Sequence, residues 1–227
     1  MSYRFNGKVC LITGAASGIG RATAQKMASL GATLALSDIN TDGLAETNTL
    51  CGGSHFTELL DVASSQACDA HIAAAVNKLG HIEFVFNCAG VNPTAYALTD
   101  TTDAYYDKLM NTNLKGTYNV TRAVIPHLQP GAAIVNTSSV MGITVAANYA
   151  IYCATKFAIV GFTKAMAMEL GPKQIRVNAV APGYINTPTN AGVLAGPVAV
   201  AEQEKRIAMG RMGTAGEVAD VIAFLFR

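Results

Sequence analysis

Short apolar runs alternate with helical patterns along this chain, and that alternation leaves few architectures open. Strands are predicted over Val9–Ile12, Thr33–Ser37, Phe56–Leu60, Phe84–Cys88, Ala133–Thr137 and Arg176–Ala181, and helices over Ile19–Leu30, Thr41–Leu50, Ser64–Leu79, Thr102–Leu128 and Ala150–Leu170. Continuously apolar strands, each followed by a helix, build a parallel sheet covered on both faces. The expected fold class is α/β, doubly wound, with ample apolar residues for a core. No linker, repeat or charge block divides the chain, so residues 1–227 read as a single domain.

Composition excludes several roles. A net charge of +1 offers nothing to nucleic acid or to an anionic membrane surface. The N-terminus MSYRFNGK lacks an apolar signal core, and no run is long enough to span a bilayer. Cysteines at 10, 51, 68, 88 and 153, without a CxxC pair, read as reduced thiols of a soluble cytoplasmic protein. His55, His71, His81 and His127 fit no metal-ligand spacing, so no metal is expected, and they read as surface or helix-end residues. Between Val177 and Ala201 there is no Asp, Glu, Lys or Arg, and residues 183–205 read as a mobile substrate loop. The chain stops inside a helical pattern, VIAFLFR, which reads as a missing C-terminal strand and tail.

The first strand passes directly into TGAASGIG, Thr13 to Gly20. A pyrophosphate approaches a helix start closely only where the backbone lacks β-carbons, and there free N–H groups and the helix dipole favour its charge. Gly14 is expected to make the tight turn, Gly18 to admit the phosphate, and Gly20 to let the helix pack on the strand. The spacing departs from G-x-G-x-x-G, so a plain strand–helix turn stays open as an alternative. The second strand ends in LALSDIN, placing Asp38 where an acid hydrogen-bonds a ribose 2′-hydroxyl. A 2′-phosphate there would meet like charge, and Ser17 and Ile39, the nearby positions able to carry a basic partner, are uncharged. The reading favours NAD over NADP, with a turn or helix-cap acid as the alternative for Asp38.

YCATK sets Tyr152 and Lys156 at i and i+4, one turn apart on one helix face. Tyr149, two turns from the lysine, is a poorer partner. Upstream, AIVNTSSVMG ends a strand in Ser138 and Ser139, and open parallel sheets place their sites at such strand ends.

Together these residues resemble the short-chain dehydrogenase/reductase family along nearly the whole chain. TGAASGIG is similar to its glycine motif, NCAG (Asn87 to Gly90) to its N-A-G strand end, and NTNLKG to its active-site asparagine region. SS…YCATK is similar to the catalytic serine and Y-x3-K pair, and PGYINT to the segment closing over the nicotinamide. The resemblance implies a Rossmann-type sheet with Tyr152 as acid/base, Lys156 as its partner, Ser139 rather than Ser138 as the serine, and Asn113 holding a relay water. It implies NAD contacts from Gly14, Ser17, Gly18, Ile19, Gly20, Asp38 and Ile39. Asp61 and Val62 flank the adenine in this reading. Asn87, Ala89, Gly90, Tyr152, Lys156, Pro182, Gly183, Ile185 and Thr187 complete the set, Thr187 on the carboxamide and Asn87 partly structural. Two departures are mild: Cys88 where a second asparagine is usual, and Ala215 where a helix start often carries proline.

The implied chemistry is hydride transfer between a secondary alcohol or its ketone and nicotinamide, which needs a base near the operating pH. A free phenol titrates at about 10, so reaching neutrality takes roughly 4 kcal/mol of preferential phenolate stabilisation. A lysine ammonium and a positive nicotinamide ring are expected to supply it, while Ser139 hydrogen-bonds the substrate oxygen. The uncharged loop after Pro182, with NPTAY (Asn92 to Tyr96), points to an uncharged or apolar small-molecule substrate. Cys153 and the pair Met166 and Met168 read as packing residues. The apolar FAIVGFTKAMAM suits a homo-oligomer, dimer or homotetramer, in which the Asn113 and Tyr152 helices meet a second subunit. A non-redox isomerase or cyclase, and a dinucleotide-binding protein without turnover, are the other classes in play.

Overall fold

The computed structural model describes residues 4–92, 94–188 and 196–227. Its central sheet contains β1 (Val9–Thr13), β2 (Thr33–Asp38), β3 (Phe56–Leu59), β4 (Phe84–Asn87), β5 (Ala133–Thr137) and β6 (Arg176–Val180). All six run parallel in the order β3-β2-β1-β4-β5-β6. The expected strands and the single α/β domain are therefore present, with ends moved by a residue or so.

Alternate strand residues feed two cores, one on each face of the sheet. Cys10, Ile12, Leu34, Leu36, Phe84 and Phe86 face α1 (Gly18–Ser29) and α2 (Thr41–Leu50). Val9, Leu11, Ala35, Val85 and Ile134 face α3 (Ser65–Leu79). Burying a side chain such as Ile12 or Phe86 contributes about 1.5–3 kcal/mol, and neither has solvent contact. This two-sided demand is why the strands read as continuous apolar runs.

The predicted helix over Thr102–Leu128 is broken into pieces. The chain forms α4 (Asp103–Leu109), a π-helical turn over Met110–Lys115, α5 (Gly116–Val124) and a 3-10 turn at Ile125–His127 with Pro126 inside it. The π turn carries Asn113, and Gly116 follows it against Val62, whose Cγ2 would lie 2.5 Å from any β-carbon there. α6 (Ala150–Leu170) matches its predicted span.

Residues 185–186 and 196–204 depart from the loop expectation over 183–205. Ile185–Asn186 forms β7, paired in parallel with β8 (Gly213–Thr214), and Gly196–Glu204 forms α7; residues 189–195 lie outside the described set. The last helix, α8 (Ala215–Leu225), starts at a capping box in which Thr214 and Glu217 satisfy each other's backbone N–H groups. That box offsets the missing proline at Ala215.

One smaller reading changes. His71 is buried, its Nδ1 2.7 Å from Glu58 Oε2, so it is neither a surface nor a helix-end residue. Of the two methionines read as interface or core residues, Met166 enters the core, and Met168, 82% exposed, keeps only the interface reading. All five cysteines are free thiols. No described helix is long and apolar enough to cross a membrane.

The sheet order has one consequence for function. β1 lies between β2 and β4, so chain connections diverge on either side of it and open a crevice at the strand ends, where such sheets bind ligands.

Candidate active site

A cavity of about 620 Å³ occupies that crevice. Gly14, Ser17, Gly18, Ile19, Asp38, Ile39, Asp61, Val62, Ala89 and Gly90 line it, as do Ser139, Tyr152, Lys156, Pro182, Gly183, Ile185 and Thr187. Of the residues named from sequence, Gly20, Asn87 and Asn113 do not line it.

At the glycine loop the geometry belongs to the backbone. Gly14 has φ +69°, and a β-carbon on it would lie 2.7 Å from the Ala89 nitrogen. One on Gly20 would overlap the Gly14 carbonyl oxygen, so Gly20 acts behind the wall by keeping α1 against the loop. Gly18, at φ +53°, borders Thr187 across the cleft. Ser17 caps α1 without a side-chain bond, and no acid occupies the first turn. The helix start therefore presents N–H groups and positive dipole to the cavity.

Asp38 ties the loop to the second strand. Its Oδ2 accepts from Ala16 N–H at 2.9 Å and its Oδ1 from Asn40 N–H at 2.9 Å. A carboxylate with two acceptor sites in use keeps further lone pairs for a ligand, and the turn and ligand readings of Asp38 are compatible. Arg21, the cation nearest this loop in sequence, does not line the cavity; it is spent on the Ala16 and Gly43 carbonyls, Thr47 Oγ1 and Glu46.

At the other end, side chains from β5, α6 and the π turn meet. Ser138 also lines the cavity, and its hydroxyl donates to the Lys156 carbonyl at 2.9 Å. Ser139 instead hydrogen-bonds Tyr152 and accepts from Met141 N–H at 3.1 Å. Lys156 Nζ donates to the Thr137 carbonyl at 3.0 Å and sits 5.5 Å from the Tyr152 ring centroid. Burial raises the Tyr152 phenol above its usual range against the lowering effect of Ser139, and it lowers Lys156 to about 8. Burial pushes both groups toward their uncharged forms, whereas the sequence reading assigned the lowering of the tyrosine to the lysine ammonium and the nicotinamide ring together.

Asn113 stands behind Gly90. Its Oδ1 accepts from Val91 N–H at 2.8 Å and its Nδ2 donates to the Val91 carbonyl at 3.1 Å. Asn87 reaches inward: Nδ2 donates to Thr121 Oγ1 at 3.0 Å and Asn136 Oδ1 at 2.8 Å, and Asn136 continues to Thr163 at 3.0 Å. This buried chain joins α5, β4, β5 and α6, so the structural side of Asn87 is the one its side chain serves.

Sequence reasoning missed several lining residues. Thr137, Val140, Met141 and Tyr184 adjoin motif residues and were within reach of a motif-neighbour argument. Lys108, Thr112, Ala199 and Gln203 carried no local signal. Tyr149, set aside as a partner for Lys156, lines the cavity in its own right. Tyr96 does not: it packs edge-on against Tyr105 at 5.3 Å. Pro93 of the same stretch lies outside the described residues.

A family model described as enoyl-(acyl carrier protein) reductase matches residues 14–227. The chain is 41% identical over 228 residues to the 3-oxoacyl-[acyl-carrier-protein] reductase FabG of Thermotoga maritima, covering 98% of this chain and 91% of that one. It belongs to the short-chain dehydrogenase/reductase family. Within that family, the crystal structure of levodione reductase superposes with a TM-score of 0.94 at 33% identity, over 99% of this chain and 92% of that one. The 3-ketoacyl-(acyl-carrier-protein) reductase from Brucella melitensis, crystallised with NADH, superposes at 0.91 and 30% identity, over 98% and 92%. As a short-chain dehydrogenase/reductase the chain is an oxidoreductase of CH–OH and keto groups.

Proposed function

We propose that this protein is an NAD-dependent oxidoreductase that transfers hydride between nicotinamide and a secondary alcohol or its ketone. The observation that carries the reading is a single cavity with a helix start opened by Gly14 and Gly18 at one end and Ser139, Tyr152 and Lys156 at the other. A dinucleotide fits this donor set: Gly14 and Gly18 leave room at the helix N-terminus, Asp38 retains acceptor capacity for a ribose hydroxyl, and Asp61 with Val62 walls the adenine side. Bound there, nicotinamide supplies the hydride acceptor or donor. With Asp38 and Asp61 lining the cavity and Arg21 held on the Ala16 carbonyl and Glu46 outside its lining, no cation on the described wall of that loop meets a 2′-phosphate, which favours NAD over NADP.

Tyr152 is the acid/base. Raised by burial, it holds its proton at neutral pH and is set to donate it to a developing alkoxide in reduction. In oxidation it must lose that proton, and the Lys156 charge, when present, favours the phenolate. Ser139, already bonded to Tyr152, is placed to hold the substrate oxygen between them. Asn113 is a positioning residue for Gly90 and Val91, at the wall the resemblance assigns to its relay water. Walls from Val91, Asn92, Val140, Met141, Tyr149, Gly183 and Tyr184 carry no charge, which suits a small uncharged substrate, although Lys108 also lines the cavity. Exposed Tyr118 on α5 and Phe157 on α6 support assembly as a dimer or tetramer through those helices.

The test is to titrate NAD and NADP separately into the protein, then follow nicotinamide absorbance with a panel of secondary alcohols. NADH formation, with NADP at least about 10-fold weaker in affinity, is expected; Asp38→Ser should narrow that ratio. Equal affinity for the two cofactors in the wild type would defeat the NAD assignment.

A further inference from the structure

The glycine loop is held from outside the cavity as well as shaped within it. Every main-chain polar group of Ala15 and Ala16 has a partner on β2, α1 or α2. Ala15 N–H donates to the Ser37 carbonyl at 3.1 Å, and the Ala15 carbonyl accepts from Thr47 Oγ1 at 2.9 Å. Ala16 N–H donates to Asp38 Oδ2 at 2.9 Å, and the Ala16 carbonyl accepts from Arg21. Gly43 lets α2 come this close: a β-carbon on it would lie 3.0 Å from both the β-carbon and the carbonyl oxygen of Ala16. That contact accounts for a glycine inside a helix, where alanine is the better former.

Arg21 ties these pieces together. Besides the Ala16 carbonyl it reaches the Gly43 carbonyl at 3.2 Å, Thr47 Oγ1 at 3.0 Å and Glu46 Oε2 at 2.7 Å. Four acceptors around one side chain suit the fork of a guanidinium. The Ala16 carbonyl belongs to the same peptide unit as the Ser17 N–H. That unit is planar and trans, so the two groups point in opposite directions. With the carbonyl drawn to Arg21, which does not line the cavity, the Ser17 N–H faces the other way, and Ser17 does line it. This N–H has no acceptor among the described residues. Ser17 also caps α1, at the positive end of the helix dipole.

We propose that Arg21 is a positioning residue for the cofactor: by holding the Ala16 carbonyl it aims the Ser17 N–H at the pyrophosphate of the dinucleotide. Arg21 touches no ligand itself; it orients a peptide that does. This rests on reading the cavity as an NAD site, and it adds the device that sets the phosphate end before the cofactor arrives.

The experiment follows amide hydrogen exchange by NMR and NADH affinity by fluorescence, in the wild type, Arg21→Met and Glu46→Gln. In the wild type the Ser17 amide should exchange freely without ligand and slow by at least about 10-fold at saturating NADH, while the Ala16 amide, bonded to Asp38, stays slow throughout. Arg21→Met keeps an unbranched stem without the donors. It should weaken NADH binding by about 10-fold or more, and saturating NADH should slow its Ser17 amide by less than about three-fold. Glu46→Gln removes the ion pair and leaves Arg21 on the Ala16 carbonyl, so its NADH Kd should stay within about two-fold of the wild type. A merely structural role would lower the Tm of Arg21→Met and leave the NADH Kd and the Ser17 protection of the folded protein unchanged; that result overturns the assignment. So does a wild-type Ser17 amide that NADH does not protect, a measurement that stands even where the methionine variant fails to fold. Equal losses of affinity in Glu46→Gln and Arg21→Met also overturn it, because the effect then belongs to the charge pair. Failure of the underlying reading looks different: NADH does not bind the wild type, or Tyr152→Phe keeps full turnover.

Discussion

The two ends of the cavity are built from different material. At the glycine loop, the surface is main chain, shaped by what β-carbons would strike: Ala89 from Gly14, and the Gly14 carbonyl from Gly20. At the tyrosine end it is side chains, buried and partnered across elements distant in sequence: Ser139 with Tyr152, and Lys156 with the Thr137 carbonyl. A backbone site is set by sterics, within the loop at Gly20 and against the end of β4 at Gly14, and fails by distortion. A buried side-chain site is set by tertiary packing and fails by loss of a proton or a charge, leaving the fold in place.

The largest effect that separates the two ends is Tyr152→Phe. It removes the acid/base and little volume, so kcat should fall by about 1000-fold while NADH Kd stays within about two-fold. A parallel loss of cofactor affinity would show that the ends are not independent. Gly20→Ala tests the opposite end from behind the wall. Overpacking against the Gly14 carbonyl should lower stability by about 3 kcal/mol in urea unfolding and weaken NADH binding at least about 10-fold. An alanine variant with wild-type stability and affinity would mean that the loop relaxes freely and that backbone sterics do not define it.

The smallest effect is electrostatic. Lys156 titrates at about 8 in the folded protein against 10.5 in its ordinary state, a depression caused by burial. Between those values the unfolded chain binds more protons, so this lysine makes stability rise with pH across the window. Lys156→Met lacks that increment. The stability of the wild type relative to the variant should therefore grow by about 2 kcal/mol from pH 8 to pH 9.5. Parallel stability curves would show that the buried ammonium is solvated after all.

Most of the sheet was legible because β1, β2, β4 and β5 are buried on both faces and several helices start at a side-chain cap, as at Asn40, Ser64, Thr102 and Thr214. The glycine loop was legible for the same local reason. The π turn at Met110–Lys115 was not: its cause is the fit of Gly116 against Val62 and of Asn113 to Val91, contacts the periodicity of Thr102–Leu128 does not encode. His71 escaped because its partner Glu58 lies on another element. The choice between Ser138 and Ser139 rested on a family spacing, and the sequence did not show that Ser138 donates to the Lys156 carbonyl while both serines line the cavity.

By itself, then, the sequence determined what nearest neighbours along the chain can settle: strands, helix starts, the phosphate-admitting turn, and the tyrosine and lysine one turn apart. Only the tertiary structure decided which side chains lose their water. Burial of Tyr152 and Lys156, the inward course of Asn87, and the approach of α7 with Gln203 to the cleft all depend on elements far apart in the chain. The physical reason is that desolvation and pairing are properties of the space around a group, and that space is assembled only when the sheet closes its two cores.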